Sequence, residues 1–149
     1  MKLETWLSIA SLGLSIMFIS LIISLYTFLV GPEGQGPERV VDPGGLIIQQ
    51  VSISGAPGVI LAGITFVLAR SYGNKLAAVI LIGSGVIIIS GMVVASNILP
   101  SIPAQYRTSG IPFVPYMFMA AGAGVLGIGG MLLTISSRPR TTSHLDDLR

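Results

Sequence analysis

The sequence predicts an all-α fold, an integral membrane four-helix bundle with short loops, and three observations carry that prediction. Four stretches hold no charged side chain: Thr5–Pro32, Pro43–Ala69, Leu76–Tyr106 and Thr108–Ser137. Only 9% of residues are charged, where soluble domains carry about 25%, and the mean hydropathy is +0.86. Every Lys, Arg, Asp and Glu falls between those stretches or at the ends. A span needs about 20 apolar residues at 1.5 Å rise. Four spans take roughly 90 residues, which leaves loops and a tail but no soluble catalytic domain.

The first helix is expected at about 5–30. Its apolar run Trp6–Val30 is about twice a signal-peptide core and lacks an A-x-A site, so it reads as a retained anchor. Trp6 and Tyr26 stand near its ends, where amphipathic rings favour the headgroup layer. Gly31-Pro32 stops it, and the irregular polar loop GPEGQGPERVVDPGG follows, holding Glu33, Glu38, Arg39 and Asp42.

The second helix is expected at about 46–69. Gly58–Ala69 is too short to cross a bilayer, so the helix has to start earlier and carry Gln49, Gln50, Ser52, Ser54 and Pro57. Pro57 removes one backbone bond, to the Ile53 carbonyl, and predicts a kink there. The competing arrangement is a re-entrant Leu46–Ser54 followed by a short tilted helix.

The turn Arg70–Lys75 is short, which predicts that the second and third helices are antiparallel neighbours. The third helix is expected at about 76–99, ended by Pro100 and Pro103; Arg107 is the only charge in the next loop. The fourth is expected at about 112–136, its early prolines falling where helical N–H groups lack partners anyway. These helices form one four-span domain, residues 1–136. The polar tail, 137–149, holds Ser143 and Asp146 at capping-box spacing.

Four spans put both termini on the side of the Arg70–Lys75 turn. That side holds Lys2, Arg70, Lys75, Arg138, Arg140 and Arg149, against Arg39 and Arg107 on the other. The excess of basic residues predicts cytoplasmic termini in a cell membrane.

Membrane helices meet through small residues and polar contacts rather than through a hydrophobic force. Ser11 and Ser15, Gly91 and Ala95, and above all Ala120 with Gly124 and Ala123 with Gly127 have the spacing of packing faces. Small residues lie on more than one side of the segment AAGAGVLGIGG. That pattern predicts a fourth helix surrounded by protein, including another chain.

The chemistry available is narrow. No ionisable residue lies within a span, as coupled carriers require. The single His144 and the absence of cysteine leave no haem or metal ligand set, and Met117 and Met119 do not share a helix face. A net charge of +2 does not make a nucleic-acid surface. Asn97, Gln49 and Gln50 are the most polar side chains in the spans and are expected to bond across helices. No catalytic residue and no cofactor are predicted; the expected partners are other integral membrane subunits and the lipid bilayer.

In chain size, in the run WLSIASLGLSIMFISLIISLYTFLV and in its glycine-rich fourth helix, the chain resembles the small accessory membrane subunits of archaeal ammonia monooxygenase, a copper membrane monooxygenase complex. The resemblance implies a non-catalytic subunit whose copper ligands sit in other chains. The alternative is a passive pore or small-solute facilitator, formed as a homo-oligomer and lined by the kinked second helix.

Overall fold

The computed structural model describes residues 3–39, 41–71 and 73–137, and among these it is helical with no strand. The expected capping box at Ser143 and Asp146, and His144, lie outside the described residues. Four helices, α1 (Leu3–Val30), α2 (Pro43–Ala69), α3 (Lys75–Ile98, extended by a 3₁₀ turn Leu99–Ser101) and α4 (Gly110–Ser137), are long and apolar enough to cross a membrane. The chain is a multi-pass membrane protein by this measure.

Local chemistry sets each boundary. Gly31 takes a φ of 73°, a left-handed conformation that ends α1, and the Gly36 N–H returns to the Val30 carbonyl at 3.0 Å. Gly73, at φ 65°, ends α2 in the same way and donates to the Ala69 carbonyl. Asn74 then starts α3. Its side-chain oxygen accepts from the Ala77 N–H at 3.2 Å, and its Nδ2 donates to Thr5 Oγ1 of α1 at 2.9 Å. The loop after α3 is held by Arg107, whose Nε donates to the Ile102 carbonyl and whose Nη2 donates to that of Pro100, both at 2.7 Å. A cation is well placed on such end-of-helix carbonyls.

Within α2 the irregularity expected at Pro57 takes a defined form. The helix runs unbroken from Pro43 to Ala69, but Val51–Gly55 is a π-helical turn in which the Ala56 N–H reaches back to the Val51 carbonyl. One wider turn ahead of the proline makes room for its ring. No break separates Leu46–Ser54 from the turns that follow it.

The packing order differs from the sequence expectation. α3 packs chiefly against α4 and α1, and α1 also packs against α2. α2 and α3, joined by the shortest turn, lie across a diagonal. They meet in the half of the bundle nearest the termini, where Ala62, Ala69, Ala77, Ala78 and Leu81 form a small core with Val125 and Leu132. Loop length allowed a neighbouring pair; α1 takes that place beside α3, with Ile19 seated against Gly91. On the other diagonal α1 and α4 meet through larger groups. The Phe18 and Phe118 ring centroids are 4.3 Å apart, and Ile22, Tyr26, Met92 and Ile111 fill the space beside them. The interior is packed with side chains.

Tyr26 corrects another expectation. It is fully buried in the bundle rather than turned outward, and its hydroxyl donates to the Ile111 carbonyl at 2.6 Å. Trp6, 58% exposed near the other end of α1, does present its ring outward.

A candidate partner-docking face on the fourth helix

The glycines of α3 and α4 divide into those that bring two backbones together and those that touch nothing. A Cβ on Gly85 would stand 2.7 Å from the Leu126 N and 2.8 Å from the Gly122 carbonyl oxygen. One on Gly129 would stand 2.8 Å from the Ile82 N. These distances are below any real Cβ contact, and the atoms opposite are backbone, so the seam between α3 and α4 exists only because these positions lack side chains. Gly122 faces Ile88 in the same seam. Gly122 and Gly129, seven residues apart, therefore line the inward face of α4 together with Phe118, Val125 and Leu132.

The residues that sequence spacing singled out on α4 lie on the opposite face. Ala120, Ala123, Gly124 and Gly127 are all exposed, and a Cβ on Gly124 or Gly127 would meet nothing within 4 Å. Bulky exposed groups flank them: Phe113, Tyr116 and Met117 toward one end and Met131 toward the other, each at least half exposed. The outward surface of α4 is therefore notched, with about 10 Å of small residues between larger ones.

The other small residues are used inside the chain. Ser11 and Ser15 are buried in the α1–α2 seam; Ser11 Oγ donates to the Gly58 carbonyl at 2.8 Å, and Ser15 Oγ donates to the Ser11 carbonyl. Gly91 lies against the Ile19 side chain in the α1–α3 seam, and Ala95 is buried one turn further on. Thus the structure brings Ser11, Ser15, Gly91 and Ala95 into the bundle and leaves Ala120, Ala123, Gly124 and Gly127 outside it. Gly85, Gly122 and Gly129 were not legible as the seam by a search at spacing four. Gly122 and Gly129 stand seven residues apart, which returns to one helix face after two turns, but so do the exposed Ala120 and Gly127, so spacing alone does not mark the seam.

The polar residues expected to bond across helices do not do so among the described residues. Gln49 and Asn97 are exposed, and Gln50 Oε1 is buried without a donor. Asn97 borders an open cleft of about 370 Å³ with Thr27, Val94 and Ser101. A second cleft, about 490 Å³, lies on the other side of Thr27 against Phe28, Pro37, Glu38 and Arg39. Met117 is exposed while Met119 packs against the core, so the pair shares no face. Among the described residues no cluster of three His, Cys, Asp or Glu side chains is present.

No family model, curated protein or solved structure matches this chain.

Proposed function

We propose that the chain is a non-catalytic accessory subunit of a multi-subunit membrane complex, and that the Ala120–Gly127 notch of α4 receives a helix of a neighbouring subunit. The observation that supports this is the asymmetry of α4. Its two inward glycines, Gly122 and Gly129, are consumed by contact with α3, while four small residues, Ala120, Ala123, Gly124 and Gly127, stay bare on the outward face. In lipid, a helix gains by meeting another helix where small residues allow backbones close together. The parent complex proposed is a copper membrane monooxygenase, on the resemblance of the first and fourth helices, with copper bound by other subunits. The proposed orientation places both termini in the cytoplasm of a cell membrane, on the excess of basic residues at that end.

A passive pore is the competing reading. The packed interior, with Phe18 against Phe118 and Tyr26 beside them, supports no polar passage through the described residues of a single copy. A pore would have to form between copies.

The test is mild-detergent extraction from native membranes, native gel separation and mass spectrometry of the band that contains the chain. Co-migration with larger membrane subunits in fixed ratio is expected, and Gly124→Leu should release the chain from that band. A band containing this chain alone sinks the accessory reading and calls for solute-flux assays.

A further inference from the structure

Two prolines in this bundle each deprive a carbonyl of its helical donor, and the chain treats the two differently. In α4, Pro115 cannot donate to Ile111, and the buried Tyr26 hydroxyl takes over at 2.6 Å. In α2, Pro57 cannot donate to Ile53 in the α register or to Ser52 in the π register that precedes it. No side chain among the described residues donates to either of these carbonyls: the Ser54 hydroxyl is used by the Gln50 carbonyl, and Ser11 by that of Gly58. Ser52 and Ile53 are both exposed, and Gln49, one turn before them on the same face, is exposed as well. Gln50 Oε1 next to it is buried without a donor. Pro57 thus leaves the backbone of this turn of α2 one donor short.

Depth makes the shortfall matter. α2 has 27 residues, about 40 Å of helix against about 30 Å of hydrocarbon, so roughly 5 Å extends beyond each edge. Ser52 lies about 14 Å along the helix, some 9 Å below that edge. A long Gln49 side chain can reach back to the headgroups, but a backbone carbonyl cannot. An acceptor left bare in lipid is costly.

We infer that the Gln49–Ser52–Ile53 face of α2 docks a transmembrane helix of a different subunit that presents hydrogen-bond donors, an amide, hydroxyl, indole or guanidinium, to the acceptors around Pro57. The face is separate from the α4 notch. The inference rests on the accessory-subunit reading only in assigning the donor to another polypeptide.

The test is photo-crosslinking in native membranes from a benzoylphenylalanine placed at position 49 or, separately, at position 52 of the full chain. Both sites are exposed, so the probe does not disturb the bundle. Adducts with a different membrane polypeptide are expected. Adducts only with lipid, adducts only with a second copy of this chain, or no adducts overturn the inference. Pro57→Ala is the second arm. It returns an N–H to the helix, takes the acceptor away from the partner, and should weaken recovery of the crosslinked polypeptide about fivefold, the worth of one membrane hydrogen bond. Unchanged recovery counts against the carbonyl as the docking point. If Gly124→Leu leaves assembly intact while position 49 still crosslinks, the α4 notch fails and the α2 face stands.

Discussion

The Tyr26 hydroxyl donates to the carbonyl of Ile111, the one carbonyl of α4 whose helical partner is removed by Pro115. A residue of the first helix thereby repairs a defect in the fourth, across the diagonal of the bundle. Pro115 sits beyond the first turn, where a missing N–H would otherwise leave a buried acceptor bare.

Tyr26→Phe should therefore lower stability by about 1–2 kcal/mol, the range for leaving a buried acceptor unpaired. Adding Pro115→Ala should recover most of that loss, because an alanine at position 115 supplies the N–H that the Ile111 carbonyl lacks. A double-mutant cycle on detergent unfolding measures the coupling. Strictly additive effects would show that the two residues do not act on the same carbonyl.

The α3–α4 seam predicts an opposite pair of responses to the same substitution. Gly129→Ala places a methyl 2.8 Å from the Ile82 N, so the two helices have to part, at a cost of about 1–3 kcal/mol. Gly124→Ala adds a methyl in open space and, with alanine the better helix former, should leave thermal stability of the isolated chain unchanged or slightly higher. Equal losses at both positions would refute the assignment of inner and outer faces.

Asn74 joins two helices through one side chain: it caps α3 at Ala77 and holds Thr5 of α1. Asn74→Ala should cost about 1 kcal/mol from the cap alone. Asn74→Asp keeps the cap acceptor but loses the donor to Thr5, so its stability should fall between those of the parent chain and the alanine variant. Melting temperatures of the three proteins give the order directly.

Orientation can be read with introduced thiols, since the chain has no cysteine. With cytoplasmic termini, Gln35→Cys should react with a membrane-impermeant maleimide in intact cells, and Ser71→Cys only after permeabilisation. The reverse pattern would invert the topology.

Much of the fold was legible because its cause is local. Charge-free runs of this length have to satisfy their backbone internally in lipid, which leaves helices, and the boundaries at Gly31, Gly73 and Asn74 follow from what glycine and asparagine allow at a chain end. The small residues of α4 were also legible as packing elements. Which of them face inward was not, because the inward pair Gly122 and Gly129 and the outward set Ala120, Ala123, Gly124 and Gly127 both repeat at helical spacing, and nothing in one helix says which face its neighbour takes.

The sequence by itself determined four spans, their approximate limits, and the lack of Asp, Glu, Lys, Arg and His within the charge-free stretches, since each depends on residue type and run length alone. Only the tertiary structure decided that α3 packs between α4 and α1 rather than beside α2, that Tyr26 turns inward to the carbonyl that Pro115 leaves bare, and that Gly124 is bare while Gly129 is pressed to a backbone. Those outcomes depend on how closely two backbones can approach and on which buried carbonyl lacks a donor, and both are properties of pairs of helices rather than of any one stretch of chain.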